Sequence, residues 1–341
     1  MQQLIYFKPN DLNKALITRN GEVKLGEVMQ LIDPALPLKQ ALSASKATYI
    51  VFGVPEDIGV QANLGKIGTR STWIEVRNAL CNIPLNNFLN ADDIAVLGHI
   101  DTKSFYQNLK NAVDTTDDDV QTFRALTLTI DHVVTELVAT MIACGKVPIM
   151  IGGGHNNAFG AMTGAAIALG HSINVINLDA HTDLRHLEGR HSGNPFSYAM
   201  NDAILNKYAI LGVQEAFTPQ YIWEIIDRNA DNVFCQTYDA IGVRSEATFQ
   251  WALNAALDFV NDTPFGVELD VDVIADFPSS ARSITGWSVE QARQYINLAG
   301  QQSNARYLHI CEAIVDPQDD TKWVKALVLF ILDFCKAQKQ N

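Results

Sequence analysis

The sequence predicts an α/β fold: a three-layer α/β/α sandwich whose mostly parallel central sheet has about eight strands. Three observations lead to this prediction. Short apolar segments alternate with longer helical patterns roughly seven times along the chain. Most of the apolar segments are nearly continuous, as in parallel strands that are covered on both faces. Hydrophobic residues occupy 48% of the 341 positions, which is enough for a large core.

Each element follows from its own segment of the chain. The predicted strands are Thr48 to Val54, Ile94 to Leu97, Val147 to Ile151, Asn174 to Leu178, Tyr208 to Val213, Asn232 to Cys235, Phe265 to Val271 and Tyr307 to Cys311. The predicted helices are Ser71 to Leu80, Val120 to Cys144, Asn157 to Leu169, Pro219 to Asn229, Ser245 to Val260, Ser288 to Ala299 and Thr321 to Ala337. The longest helix follows a capping sequence, Thr116 to Asp119, and ends at the stop signal Cys144-Gly145.

The sequence predicts one main domain with an extension at its N-terminus. Residues 1–45 fit the strand and helix alternation poorly, so we expect them to form an extension packed on the core. Residues 46–341 contain no long linker and no internal repeat, which predicts a single domain.

Charge and segment composition exclude several classes of function. The net charge of −13 argues against nucleic acid or an acidic membrane surface as the main partner. The longest apolar stretch, Val133 to Ile151, is interrupted by charged residues and a proline, and no signal-peptide pattern precedes it. Five cysteines without a CxxC pair predict reduced thiols. We therefore expect a cytoplasmic globular protein that is either an enzyme or a binding protein.

Three strand ends carry the residues that point to chemistry, because ligands of open α/β sheets bind beyond the carboxyl ends of the strands. The first is Gly152-Gly153-Gly154-His155, in which glycines allow a sharp turn that presents His155 at the rim. The alternative is a tight connection with an incidental histidine. A phosphate site is not indicated, since neither a Walker A lysine nor a GxGxxG spacing is present.

The other two strand ends are rich in aspartate. Asp179, His181 and Asp183 follow a strand at i, i+2 and i+4, so their side chains point the same way in an extended segment. Asp270 and Asp272 lie on one face of a later apolar strand. Without a cation, neighbouring aspartates repel and are costly to bury. A solvated loop and a wet edge strand are the respective alternatives.

Together these segments place two imidazoles and four carboxylates at one predicted edge of the sheet. Six donors exceed what one tetrahedral metal needs, but they suit two metals that share carboxylates. Carboxylate-rich ligation favours Mn²⁺ over a closed structural zinc site, although Zn, Co, Ni and Fe stay open. Such a centre would activate water for attack on a carbon or phosphorus electrophile.

These three motifs, in this order, resemble the metal motifs of the ureohydrolase family, which includes arginases, agmatinases and formimidoylglutamases. The resemblance implies an open α/β/α fold, two Mn²⁺ ions per chain and hydrolysis of an amidine or guanidine C–N bond. It implies that a hydroxide between the metals attacks the amidine carbon, with Asp183 accepting a proton and Glu312 meeting the cationic amidinium. For Glu312, a helix-cap or surface role is the alternative. The metal ligands it implies are His155, Asp179, His181, Asp183, Asp270 and Asp272.

Substrate contacts follow from the same resemblance. Arg185 stands where arginases usually carry an asparagine, and an arginine there resembles formimidoylglutamases, whose substrate has two carboxylates. Asn63 lies in a first active-site loop that resembles the formimidoylglutamase version. Arg282, in an unusual loop after the last aspartate motif, is a second candidate for the carboxylate end. A solvent-facing role for Arg282 is the alternative.

One segment departs from the pattern of arginases and agmatinases. The segment Ser192 to Phe196 resembles a family segment in which His precedes the glycine, but Ser192 occupies that place here and His191 is displaced by one. We therefore predict His191 as a catalytic residue only if the loop is shifted, with Ser192 and Asn194 as substrate contacts.

The leading hypothesis is hydrolysis of N-formimidoyl-L-glutamate to L-glutamate and formamide. An arginase, agmatinase or guanidine hydrolase on the same metal site is the alternative within the class. A non-catalytic metal- or ligand-binding homologue is the alternative from a different class, and a two-metal phosphoesterase is a third. The resemblance also implies a homo-oligomer, a trimer or hexamer.

Overall fold

A ten-stranded sheet forms the centre of the protein in the computed structural model, which describes residues 3–107, 109, 116–316 and 321–337. The spatial order is β1-β4-β3-β5-β10-β9-β6-β7-β8, with β2 beside β4. Every strand pair is parallel except β1 with β4. The strands are β1 Leu4–Tyr6, β2 Gln30–Leu31, β3 Tyr49–Gly53, β4 Ile94–Ile100, β5 Val147–Ile151, β6 Ile173–Leu178, β7 Leu205–Val213, β8 Val233–Thr237, β9 Phe265–Asp270 and β10 Ala305–Cys311.

Helices cover both faces of this sheet. They are α1 Pro9–Ala15, α2 Leu25–Val28, α3 Leu38–Ala44, α4 Ile58–Ala62, α5 Thr72–Cys81, α6 Lys103–Tyr106, α7 Asp117–Ala143, α8 Asn157–Leu169, α9 Pro195–Asn201, α10 Gln220–Arg228, α11 Phe249–Val260, α12 Val289–Gly300 and α13 Thr321–Ala337. Short 3₁₀ turns lie at Thr69–Ser71, Ala91–Asp93, Glu215–Phe217 and Val271–Val273, and a π-helical turn lies at Asp239–Val243.

The buried side chains form two hydrophobic layers, one on each face of the sheet. One layer includes α5, α11, α12 and α13, whereas the other includes α3, α4 and α7 to α10. Successive strand residues point to opposite faces. In β5, for example, Ile149 and Ile151 join the first layer and Met150 joins the second. This arrangement confirms the predicted three-layer α/β/α sandwich.

The long helix α7 belongs to the core. Thr116 caps it, since its hydroxyl accepts a hydrogen bond from the Asp119 amide at 3.3 Å. Within the described residues it is the one helix long and apolar enough to cross a membrane. Its inner face, however, packs closely on α8. A Cβ on Gly160 would lie 2.7 Å from Val134 Cβ, and a Cβ on Gly164 would lie 2.7 Å from the Thr135 carbonyl oxygen.

Differences from the sequence prediction have local causes. The sheet has ten strands rather than about eight, because the short strands β1 and β2 of the N-terminal segment pair with β4. Neither has the long apolar run that marks a buried strand. Helix α11 begins at Phe249 rather than Ser245, since Thr248 caps it by accepting from the Trp251 amide at 3.2 Å. Strand β9 ends at Asp270, and the turn Val271–Val273 follows.

Candidate metal centre

The three polar motifs meet because their strands are neighbours. Strands β5, β10, β9 and β6 are consecutive at the middle of the sheet and run parallel. Their carboxyl ends therefore lie at one edge, where ligand sites of such sheets form. This edge carries His155 after β5, Asp179 after β6, Asp270 at the end of β9 and Glu312 after β10.

The glycines after β5 make the turn that delivers His155. Gly152 and Gly153 have φ values of 86° and 74°, in the left-handed region that favours glycine. A Cβ on Gly153 would lie 2.2 Å from the Asn157 side chain, so there is no room for a side chain at this position of the turn. The result is that the imidazole of His155 is buried within the acidic cluster.

Six predicted ligands form two overlapping groups. In the first, His155 Nδ1 lies 2.9 Å from Asp183 Oδ2, 3.2 Å from Asp179 Oδ2 and 3.4 Å from Asp270 Oδ2. In the second, His181 Nδ1 lies 2.9 Å from Asp272 Oδ2 and 3.7 Å from Asp179 Oδ1. Asp179 thus directs one oxygen to each group. This arrangement can hold two cations that share the Asp179 carboxylate.

The electrostatics of the cluster fit a pair of divalent ions. Burial and the neighbouring Asp179 charge raise the pKa of Asp183 to about 6. Burial and Asp272 raise the pKa of Asp270 well above its usual range. Both ring nitrogens of His155 and Oδ1 of Asp272 are buried without a hydrogen bond from the described residues. Bound cations would remove the repulsion and would bond to these donors, so the donor set fits a two-metal centre.

Local hydrogen bonds hold the carboxylates in place. Asp179 accepts from the His181 amide at 2.7 Å and from the Asn177 side chain at 2.9 Å. The Asp272 amide donates to Asp270 Oδ1 at 3.0 Å, across the turn that ends β9. Sequence reasoning did not single out Asn177. Its position two residues before Asp179 on a strand is the signal that could have identified it, because both side chains face the same way.

Glu312 lies beside the metal donors and is fully buried. Its Oε1 accepts from the His155 amide at 2.7 Å, whereas Oε2 meets no hydrogen-bond donor among the described residues. Burial raises its pKa to about 8. A planar cation such as an amidinium would stabilise the ionised carboxylate here by charge and by hydrogen bonding.

A cavity of about 500 Å³ opens above these residues. Predicted substrate contacts Asn63, Arg185 and Ser192 form part of its wall. Arg185 Nη1 donates to Asn63 Oδ1 at 3.0 Å, and Asn63 Nδ2 donates to Ser192 Oγ at 3.2 Å. The remaining lining is largely apolar and includes Val60, Phe217, Pro219, Tyr221 and Ile222. The cavity therefore combines a floor of carboxylates, one guanidinium and an apolar wall.

The structure does not bring the other three predicted residues to the cavity surface. His191 is buried, accepts from the Gly193 amide through Nδ1 at 3.1 Å and places Nε2 3.1 Å from Glu188. Asn194 is buried and accepts from Arg190 at 2.5 Å. Arg282 is 57% exposed and meets Asp276 at 3.3 Å. Their functional roles stay predictions, and the geometry favours supporting roles for the first two.

A buried carboxylate that sequence reasoning missed joins the first loop to the glycine turn. Glu56 Oε2 accepts from the Ile58 amide at 2.6 Å and the Gly59 amide at 3.0 Å. Its Oε1 accepts from the Gly154 amide at 3.0 Å and from the Asn157 side chain at 2.7 Å. The one signal in the sequence is an acid in the loop that follows the apolar strand β3. Glu56 therefore fixes the turn that carries His155.

Comparison with known proteins agrees with this geometry. A sequence model of the arginase family matches residues 47–331. The formimidoylglutamase of Chromobacterium violaceum is 29% identical over 249 residues, 70% of this chain and 72% of that protein. The formimidoylglutamase of Macrococcus caseolyticus is 30% identical over 179 residues, 52% of this chain, and that alignment spans half of the relative's length.

Solved structures share the fold over nearly the whole chain. Formimidoylglutamase from Bacillus subtilis superposes with a TM-score of 0.71 at 18% identity, covering 96% of this chain and 95% of that one. Trypanosoma cruzi formiminoglutamase with Mn²⁺ superposes with a TM-score of 0.67 at 18% identity, covering 88% and 98%.

Proposed function

The chain belongs to the arginase family, and we propose that it hydrolyses a C–N bond of N-formimidoyl-L-glutamate to give L-glutamate and formamide. The observation that carries this proposal is one cavity that joins the six-donor cluster, the buried Glu312 and the Arg185–Asn63 pair. Such a cavity offers an anion to an amidinium at one end and a guanidinium to carboxylates elsewhere on its wall. The relatives named formimidoylglutamase support the choice of substrate.

Two Mn²⁺ ions complete the proposed site. The residues that would hold them are His155, Asp179, His181, Asp183, Asp270 and Asp272. Four carboxylates and two imidazoles suit Mn²⁺, and the structural neighbour from Trypanosoma cruzi is described with this metal. When bound, the two ions would supply Lewis-acid activation of water for attack on the amidine carbon.

The side chains of this chain would bind, orient and move protons. Glu312 would accept hydrogen bonds from the amidinium and thereby orient its carbon toward the aspartates. Asp183 would accept a proton from water and return it to the leaving amino group. Arg185, oriented by Asn63, would bind a carboxylate of the substrate. The apolar wall would contact the substrate's methylene groups and exclude bulk water.

Three further features are part of the proposal. We propose a cytoplasmic homo-oligomer, a trimer or hexamer. We also propose that residues 46–341 form the catalytic domain and residues 1–45 an extension packed on it. The pairing of β1 and β2 with β4 supports the last point, because it joins the extension to the edge of the main sheet.

A substrate panel tests this function. Manganese-loaded protein would be assayed with formimidoylglutamate, arginine, agmatine and guanidinobutyrate, and formamide and glutamate would be quantified. We expect turnover of formimidoylglutamate to exceed that of the other compounds by at least about 100-fold, a difference of about 2.7 kcal/mol. Preferred turnover of a guanidine would overturn the substrate proposal. Absence of turnover with two ions bound would overturn the hydrolase proposal.

A further inference from the structure

Strand β9, which ends at the candidate metal ligand Asp270, carries another buried carboxylate. Glu268 precedes Asp270 by two residues in β9 and is fully buried. Neither the metal motifs nor the substrate contacts include it. An isolated buried carboxylate is costly, so the groups that surround Glu268 must compensate its charge.

Strand pairing supplies those groups. His309 in β10 is the register partner of Glu268, and its Nδ1 lies 2.6 Å from Glu268 Oε2. The hydroxyl of Tyr307, two residues earlier, donates to Glu268 Oε1 at 2.8 Å. Each oxygen of the carboxylate therefore has a hydrogen-bond partner on β10. Tyr295 of α12 donates to the main-chain carbonyl of Glu268 at 2.8 Å and holds the strand from the other layer.

The third neighbour of Glu268 is the metal-binding histidine. His155 Nε2 lies 3.6 Å from Glu268 Oε2, while Nδ1 faces Asp179, Asp183 and Asp270 at 2.9 to 3.4 Å. At 3.6 Å the contact with Glu268 is electrostatic rather than a hydrogen bond. In a dry interior, a carboxylate at this distance still favours an N–H that points toward it.

We propose that Glu268 is a positioning residue that keeps His155 protonated on Nε2, with the Nδ1 lone pair directed at the metal. The tautomer of a metal-binding histidine is set by the group that its other nitrogen faces, and such a group strengthens the metal bond. Here His309 and Tyr307 in turn hold Glu268. This inference rests on the proposed metal centre, but it concerns ion affinity rather than substrate.

A binding experiment tests it. Mn²⁺ dissociation constants would be measured by calorimetry for the wild-type chain and for Glu268→Gln, which keeps the size but loses the charge. Removal of such a partner typically weakens metal binding by roughly 10- to 100-fold. We expect this loss for one of the two ions, because His155 belongs to only one of the two donor groups that the six predicted ligands form. Tyr295→Phe is the matched control, since it removes a buried hydrogen bond at Glu268 and leaves the carboxylate intact.

Equal affinities in the wild-type chain and Glu268→Gln would overturn the proposal. A second readout does not depend on the folding of a variant. In the Zn²⁺-loaded wild-type chain, nitrogen NMR of ¹⁵N-labelled histidine should show His155 protonated on Nε2, and protonation on Nδ1 would contradict the inference. A wild-type chain that binds two ions but does not hydrolyse formimidoylglutamate would refute the proposed substrate and leave the role of Glu268 standing.

Discussion

Glu56 and Asp183 are both buried acids at the carboxyl edge of the sheet, yet their surroundings differ. Glu56 accepts hydrogen bonds on both of its oxygens, from main-chain amides on Oε2 and from a main-chain amide and asparagine side chains on Oε1. Asp183 faces His155 and other carboxylates, and Asp179 contributes to its raised pKa. A buried acid whose oxygens all accept hydrogen bonds stabilises the fold. A buried acid that lacks such donors is compensated by a ligand or ion that the chain does not supply. Burial alone therefore does not identify a functional acid.

The variant Asp183→Asn should show the largest effect, a loss of activity without a loss of stability. Asparagine tolerates the left-handed φ of 50° at this position, so we expect the fold to persist. Loss of a proton acceptor and metal donor should lower kcat about 10³-fold. The metal-free variant should unfold at no lower temperature than the wild-type chain, because a repulsive charge is gone.

Manganese titration provides the control for that variant. At 100 times Kd, Mn²⁺ should stabilise the wild-type chain by about 2.7 kcal/mol per site, and Asp183→Asn by less. Calorimetric melting curves with and without Mn²⁺ would measure both effects. A metal-free variant that melts well below the wild type would show that Asp183 is structural, like Glu56.

His191 tests whether protonation of a buried side chain that already has hydrogen-bond partners destabilises the fold. Burial lowers its pKa to about 4, and its Nδ1 already accepts from the Gly193 amide. Its folded pKa lies below the unfolded value of about 6.5, so folding is fully supported above pH 6.5 and weakens as the pH falls toward 4. The shift corresponds to about 3 kcal/mol.

Denaturant unfolding at several pH values would measure this contribution. In His191→Asn, an amide oxygen can still accept from Gly193, and the pH-dependent loss between 6.5 and 4 should shrink by about 3 kcal/mol. Unchanged pH dependence in the variant would show that another group controls acid unfolding.

Glu56→Gln should destabilise the protein without removing a reacting group. An amide nitrogen would face the donors of either the first loop or the glycine turn, which costs about 2 kcal/mol. Urea unfolding of the metal-free chain would measure the loss, while kcat at saturating Mn²⁺ should fall less than tenfold. A larger fall in kcat at unchanged stability would show that Glu56 acts in the reaction rather than in the fold.

The smallest expected effects belong to two variants of the cavity wall, and Arg185→Lys is the larger of the two. Lysine keeps the charge but loses the planar fork that can hold Asn63 and a carboxylate together. The KM for formimidoylglutamate should rise about tenfold, equivalent to about 1.4 kcal/mol, with kcat nearly unchanged. Ser192→Ala, on the same cavity wall, should change KM less, and steady-state kinetics would compare the two.

Much of the fold was accessible from the sequence because it depends on local periodicity. The continuous apolar run Val147 to Ile151 and the helix Asn157 to Leu169 have the bounds that their patterns predict. The spacing of Asp179, His181 and Asp183 likewise indicated converging side chains. The short strands β1 and β2 were missed, because their pairing with β4 depends on distant residues.

The residues around the metal donors were less predictable. No pattern in the sequence predicts that His309 and Glu268 lie in contact. Their contact depends on the register of β9 with β10, which joins segments about 40 residues apart. His191, Asn194 and Arg282 lay beside recognisable motifs, but the local path of their loops turns the first two inward and leaves Arg282 exposed.

The sequence by itself determined the fold class, the order of the strands along the chain and the chemical identity of the six candidate metal donors. These features are properties of residue type and of short-range spacing. Only the tertiary structure decided which carboxylates accept hydrogen bonds on both oxygens, which guanidinium reaches the cavity and which acid lies next to Nε2 of His155. Those outcomes depend on hydrogen bonds between segments that are distant in the chain, and burial makes each such bond, or its absence, energetically decisive.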